Sequence, residues 1–102
     1  MEHTENYQIQ GKNGVHMRPC MQIYDFMIDA TSENEGLEFI LEKENGDIWK
    51  TNPDPGFMNL TMYAANLLYK KTIKVTTSGD FPPETLREYN KDLGKIFEDP
   101  NL

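Results

Sequence analysis

The sequence predicts an α+β sandwich with the element order β-α-β-β-α-β-α, in which three helices cover one face of a four-stranded antiparallel sheet. Segments with apolar residues at every second position, typical of half-buried strands, interleave with segments that repeat every three or four residues, typical of helices. The 102 residues allow one small core, so residues 1–102 are interpreted as a single domain. The sheet is expected to have one covered and one solvated face.

The first strand and the first helix are predicted on either side of a glycine-containing loop. Residues 6–10 (NYQIQ) alternate weakly as a strand, and residues 11–14 (GKNG) form the loop. From Met17 the pattern becomes helical, and Pro19 fits the first turn, where its missing N–H breaks no hydrogen bond. The apolar face of this helix carries Cys20, Ile23, Met27 and Ala30. The polar residues 31–36 (TSENEG) are expected to end it.

A hairpin is predicted next. Residues 37–43 (LEFILEK) alternate as a strand, and residues 47–52 (DIWKTN) return as its partner. The Asn45-Gly46 pair between them predicts a tight turn, because both residues tolerate a positive φ. The solvated face is expected to carry Glu38, Ile40 and Glu42. Residues 53–56 (PDPG) form a loop.

The last three elements are a helix, a strand and a helix. A second helix is predicted over residues 57–68, and residues 72–77 (TIKVTT) alternate as the fourth strand. Gly79 ends that strand, and Pro82 and Pro83 open the third helix. The expected inward residues of the two helices are Leu60, Ala64, Leu67 or Leu68, Leu86, Tyr89, Leu93 and Ile96.

The composition of the chain limits the kinds of partner that the protein is expected to bind. The chain carries 17 acids and 10 bases, a formal net charge of −7, which argues against a nucleic-acid surface or an anionic membrane surface. No apolar run approaches a membrane span, and the N-terminal residues are too polar for a signal peptide. The single cysteine, Cys20, excludes an internal disulfide and is compatible with a reducing compartment. We expect a cytoplasmic protein with no nucleic-acid partner and no membrane insertion.

The stretch NGVHMRPC, residues 13–20, carries the candidate chemistry. His16 directly precedes the first helix, whose first N–H groups have no intrahelical partner and lie at the positive end of the helix dipole. An anion attached to the ring would be held by those groups. Arg18 adds a guanidinium suited to phosphate oxygens, and Gly14 lets the loop fold back over the helix end. The pattern predicts a site for a transient phosphohistidine.

These residues resemble a known family. GVHMRPC is similar to the Gly-x-His-x-Arg-Pro signature of HPr, the histidine-containing phosphocarrier of the phosphoenolpyruvate-dependent sugar phosphotransferase system. The element order, the Asn45-Gly46 hairpin, the apolar start of the second helix and the terminal strand-Gly-helix unit also match. The resemblance implies an HPr-like open-faced sandwich.

The resemblance also implies residue roles. His16 would accept a phosphoryl group from enzyme I and pass it to a IIA-type protein, with Arg18 assisting. Backbone N–H groups of Met17, Arg18 and Cys20 would bind the phosphate. Such a chain is a protein substrate of phosphotransferases rather than an enzyme with its own turnover. Since its active face meets partners in turn, we expect a monomer that needs no cofactor.

The helix faces beside His16 predict a docking surface. Because Cys20 and Leu60 point inward, the outward residues are expected to be Met17, Met21, Phe57 and Thr61. Exposed methionines adapt to several partners. Two features differ from the family: Gly56 stands where many members carry a regulatory serine, and lysines often found on the docking helices are missing. Asp25, Ile28 and Asn59 stand in that region instead.

Three hypotheses follow for the function. The first is an HPr-type phosphocarrier, and the second is an HPr-like regulatory protein that is phosphorylated on His16 but controls another protein. The third is a plain interaction module in which His16 only caps a helix. A metal pair of His16 and Cys20 would have too few ligands for a stable zinc site, so no metal is expected and Cys20 is interpreted as a core residue.

Overall fold

Four strands form one antiparallel sheet in the computed structural model, which describes residues 1–102. The strands are β1 (Glu2–Gln8), β2 (Glu38–Lys43), β3 (Ile48–Lys50) and β4 (Thr72–Ser78). Their order in the sheet is β1-β4-β2-β3, so β4 pairs on both sides. Its register runs from Ser78 opposite both Glu2 and Glu38 to Ile73 opposite Tyr7 and Lys43. The predicted antiparallel sheet is confirmed.

Three helices pack on one side of this sheet. They are α1 (Met17–Glu33), α2 (Phe57–Ala64) and α3 (Pro83–Phe97), so the predicted element order is confirmed. The core between the layers contains fully buried apolar side chains from every helix and from β2 and β4, among them Ile23, Met27, Phe39, Leu41, Leu60, Val75, Leu86 and Leu93. None of the three helices combines the length and apolar character needed to cross a bilayer.

The predicted bounds of β1 are wrong. The strand covers Glu2–Gln8 rather than residues 6–10, although its inner positions include the polar His3 and Glu5. These side chains are accommodated because both have polar partners: the His3 Nε2 lies 3.1 Å from the Glu5 carboxylate, and the Lys91 ammonium of α3 lies 3.2 Å from the same carboxylate. Asn90 of α3 also donates to the backbone carbonyl of His3 at 2.9 Å. Apolar alternation alone does not reveal such a strand.

The first two helices begin at Met17 and Phe57 as predicted, but their predicted C-terminal ends are wrong. α1 continues to Glu33, and Thr31 and Ser32 within it donate their hydroxyls to the Ile28 carbonyl. α2 stops at Ala64 instead of residue 68. There the Lys43 ammonium donates to the Tyr63 carbonyl at 2.8 Å, which satisfies one of the free carbonyls at the helix end.

The inward and outward faces are largely those expected from periodicity. The predicted inward residues Cys20, Ile23, Met27, Ala30, Leu60, Ala64, Leu67, Leu86 and Leu93 are buried. Leu68 is exposed, and Tyr89 and Ile96 are half-buried against the core. Glu38, Ile40 and Glu42, expected on the solvated face, are half-buried. Asn90, a polar residue, takes a fully buried position in α3.

Candidate functional site

His16 is the N-cap residue of α1, but its side chain caps nothing. The backbone is extended there (φ −87°, ψ −167°) and the side chain makes no hydrogen bond to the first helical turn. The ring is exposed, Nδ1 lies 3.1 Å from the Gly14 carbonyl oxygen, and Nε2 has no hydrogen-bond partner. A proton on Nδ1 would be donated to that oxygen. The capping bond required by the third hypothesis is therefore not formed.

Two backbone donors are free beside the ring. The N–H groups of Met17 and Arg18 have no acceptor, as is usual at the start of a helix. Pro19 has no N–H, and the N–H of Cys20 already donates to the His16 carbonyl at 3.0 Å. Of the three backbone groups predicted to bind phosphate, that of Cys20 is engaged in the first helical hydrogen bond, and the other two remain available.

Backbone contacts hold the loop before His16 in place. The Val15 N–H donates to the Leu67 carbonyl at 2.8 Å, and the Gly14 N–H donates to the Gly11 carbonyl at 2.9 Å. Gly14 has φ +71°, and a Cβ atom there would lie 2.7 Å from the Leu67 oxygen. Only glycine combines this φ with so close an approach of two backbones. The loop therefore presents His16 in a fixed position relative to the segment after α2.

Arg18 lies two residues after His16 on the same helical turn. Its side chain is exposed, and no ion pair of the structure involves it. The guanidinium charge is therefore not neutralised by an acid of this chain. It is free to form charge-assisted hydrogen bonds with an anion at the start of α1.

Cys20 does not contribute a reactive thiol. It is 1% exposed and lies in the core. Burial raises the pKa of its thiol to about 11, so the thiolate that acts as nucleophile or metal ligand is scarce at neutral pH.

The exposed residues beside His16 differ in part from those predicted. Met17 and Met21 are 55% and 49% exposed. Phe57 is half-buried, with its ring edge-on to Tyr24 at 5.7 Å between centroids, and Thr61 is half-buried. Part of the Phe57 ring is therefore covered by α1 and does not face solvent.

Sequence reasoning missed the two exposed methionines of α2. Met58 and Met62 are 66% and 77% exposed. Because Leu60 points inward, residues two positions before and after it lie on the opposite side of a helix of 3.6 residues per turn. The same periodicity that identified Leu60 could therefore have identified both methionines.

A hydrogen bond joins α1 to the loop before α2. The Tyr24 hydroxyl donates to the Asp54 carboxylate at 2.7 Å, and the second oxygen of that carboxylate accepts the Gly56 N–H at 2.8 Å. The bond to Asp54 and the nearby charge of Asp25 raise the pKa of Tyr24. Gly56, the N-cap of α2, offers no hydroxyl for modification.

Comparisons with known proteins agree with this architecture at the level of fold. No family model matches the sequence, and no curated protein matches it significantly. Among solved structures, the chain is similar to the crystal structure of a phosphocarrier protein HPr from Bacillus anthracis str. Ames, with a TM-score of 0.64 and 18% sequence identity. The match covers 95% of this chain and 98% of that chain. The chain therefore has the HPr-like open-faced sandwich fold.

Proposed function

We propose that this protein is a phosphocarrier that accepts a phosphoryl group on His16 and passes it to a second protein. The observation that carries the proposal is the state of His16: an exposed imidazole at the start of α1, without a capping bond, beside two free backbone N–H groups. The HPr-like fold and the GVHMRPC motif support the same role. By analogy with that family, the donor is an enzyme I-type protein charged by phosphoenolpyruvate, and the acceptor is a IIA-type protein.

For the transfer, the imidazole of His16 must be neutral, so that one ring nitrogen carries a free lone pair. The lone pair of the unprotonated ring nitrogen forms a new N–P bond with the phosphorus of the donor's phosphoryl group. The electron pair of the donor's bond to phosphorus stays on the donor atom, and the proton on the other nitrogen of His16 need not move. The product carries a phosphate dianion at the helix start, where the N–H groups of Met17 and Arg18 and the Arg18 guanidinium stabilise it.

The partners are proposed to dock on the helix surfaces next to His16. The candidate contacts are Met17, Met21, Phe57 and Thr61, to which the exposed Met58 and Met62 are added. Methionine side chains adapt their shape, so one surface can serve donor and acceptor in turn. We propose that this exchange takes place in the cytoplasm and that the carrier acts as a monomer.

Intact-mass measurement tests the acceptance step. The protein is incubated with phosphoenolpyruvate and the enzyme I of the same organism, and the mass gain is measured before and after acid and base treatment. We expect a gain of one phosphoryl group that is lost in acid and survives in base, as for a phosphohistidine. His16→Ala should remove the gain with the fold intact, as judged by circular dichroism.

His3 supplies the matched control, since it is the only other histidine of the chain and lies in β1 rather than at the start of a helix. The variant His3→Ala should gain the phosphoryl group as the wild type does. A gain that persists in His16→Ala, or no gain with the cognate enzyme I, would overturn the proposal.

A further inference from the structure

Four methionines are the exposed large apolar side chains of the two helices next to His16. We call Met17, Met21, Met58 and Met62 the methionine surface. Each helix contributes a pair four residues apart, so the members of a pair lie on one face. Tyr24, on the face of Met17 and Met21, contacts Phe57 at the start of α2. The two methionine pairs therefore lie on the solvent-facing sides of α1 and α2, and the contact between Tyr24 and Phe57 joins these two helices.

The charges around the methionine surface are mostly negative. α2 contains no charged residue, and the only base of α1 is Arg18, at the His16 end. The exposed ridge that begins at Arg18 continues through Asp25 and Asp29, at positions i+7 and i+11. Asp54 is bonded to Tyr24 from the α2 side. The surface is therefore positive beside His16 and at the end of α2, where the Lys43 ammonium donates to the Tyr63 carbonyl, and it is acidic farther along α1.

These acids form no ion pair within the chain, although Asp54 accepts hydrogen bonds from the Tyr24 hydroxyl and the Gly56 N–H. No ion pair of the structure involves Asp25, Asp29 or Asp54. Unpaired charges at the rim of an apolar surface govern which partner approaches it, because complementary charge raises the association rate and like charge excludes wrong partners.

We infer that the methionine surface binds a protein whose apolar contact residues are flanked by lysines or arginines. The inference rests on the proposed function in one respect: it takes this partner to be the protein that exchanges the phosphoryl group with His16. The partner's basic rim lies against Asp25, Asp29 and Asp54, while its phosphorylated centre faces Arg18. The methionines supply the apolar contact between these two charged ends.

Methyl NMR with two designed peptides tests this preference. Both peptides are helical with leucines on one face; lysines flank the leucines in one peptide and glutamates in the other. The protein is labelled at its methionine methyl groups, which gives six probes. We expect the lysine peptide to shift the signals of the four surface methionines. The exposed Met1, outside the helices, and the buried Met27 should not shift.

Matched charge reversals separate local complementarity from net charge. Asp25→Lys/Asp29→Lys on α1 is compared with Glu88→Lys/Asp92→Lys, an exposed pair of the same spacing on α3. Since each change adds two positive charges, both variants move the net charge from −7 to −3. We expect the α1 variant to bind the lysine peptide about tenfold more weakly and the α3 variant to change affinity by less than about twofold.

Three results would overturn the inference: equal binding of the two peptides, lysine-peptide shifts outside the methionine surface, or equal losses in the two charge-reversed variants. Neither the methionine methyl shifts nor the peptide affinities require phosphorylation of the protein. Failure of the phosphoryl-acceptance experiment therefore leaves this test intact, and failure here leaves acceptance on His16 untouched.

Discussion

Arg18 and His16 share the first turn of α1 but have different surroundings and different proposed tasks. His16 forms the covalent bond, whereas Arg18 only stabilises the charge of the transferred group. Because no acid of the chain neutralises Arg18, removing it leaves no buried charge unpaired and should not disturb the fold. Its role can therefore be measured separately from stability.

Arg18→Ala should slow phosphoryl acceptance by His16. Loss of a charge-assisted hydrogen bond to phosphate corresponds to roughly a tenfold slower reaction. The rate is measured by quenching the reaction with enzyme I and quantifying phosphoprotein by mass. Arg87→Ala, an exposed arginine on α3, serves as control and should keep the wild-type rate. Equal rates for wild type and Arg18→Ala would contradict the role given to Arg18.

Gly14 determines how closely the loop before His16 approaches the segment after α2. In Gly14→Ala the new Cβ would meet the Leu67 carbonyl oxygen at 2.7 Å, in addition to the strain of φ +71°. Gly36 has a similar φ of +89° and nothing within 4 Å of its Cβ position, so Gly36→Ala isolates the φ strain. We expect losses of about 3 kcal/mol for Gly14→Ala and about 1 kcal/mol for Gly36→Ala in urea unfolding. Similar losses of unfolding free energy in the two variants would contradict the close approach of Gly14 to the Leu67 carbonyl.

At the level of secondary structure, the docking of α3 on β1 depends on polar side chains as well as on apolar ones. Asn90 is fully buried and donates to the carbonyls of His3 and Val75, while its side-chain oxygen accepts the Tyr7 hydroxyl at 2.6 Å. The Tyr7 hydroxyl also lies 3.0 Å from the Glu5 carboxylate. This network satisfies every member, so the polar inner face of β1 remains compatible with a strand.

Glu5 makes the docking of α3 on β1 dependent on pH. A hydrogen bond from His3, with further bonds from Lys91 and Tyr7, lowers the pKa of Glu5 below its ordinary value of 4.5. A carboxyl group whose folded-state pKa is lowered stabilises the fold above the unfolded-state pKa and loses that contribution as the pH falls through the folded-state value. Glu5→Gln should therefore lower stability at pH 7 by about 0.5 kcal/mol.

The stability difference between Glu5→Gln and the wild type should shrink as the pH falls below 4.5. Urea unfolding at a series of pH values measures it. Glu2→Gln is the matched control, because Glu2 is exposed on the same strand and has no ion pair. A difference that stays constant with pH, or one that Glu2→Gln reproduces, would contradict the role of Glu5.

For the whole molecule, local patterns predicted the order and type of the elements because most of them have a clear periodicity or turn signal; β1 alternates only weakly. The inward face of α1 and the antiparallel β2–β3 hairpin follow directly from the spacing of apolar residues and from Asn45-Gly46. Features that depend on distant contacts could not be predicted in this way. The early start of β1 depends on Asn90 and Lys91 of α3, and the short α2 ends where Lys43 meets Tyr63.

The candidate site was predictable to a similar extent. The position of His16 at a helix start follows from Pro19 and the apolar repeat after it. The sequence could not show that the ring forms no capping bond, since that depends on the local conformation. The engagement of the Cys20 N–H was predictable, because in a helix that begins at Met17 this group donates to the His16 carbonyl four residues earlier. The partial burial of Phe57 depends on its contact with Tyr24, a residue on another helix.

Transfer from isolated phosphoprotein to a IIA-type protein tests the carrier role most directly. The protein is phosphorylated on His16, freed of enzyme I and donor, and mixed with the IIA-type protein of the same organism, while both intact masses are followed. We expect the phosphoryl group to leave this protein and appear on the acceptor in equal amounts. Phosphoprotein that keeps its group, or loses it to water without a gain on the acceptor, would contradict the carrier role.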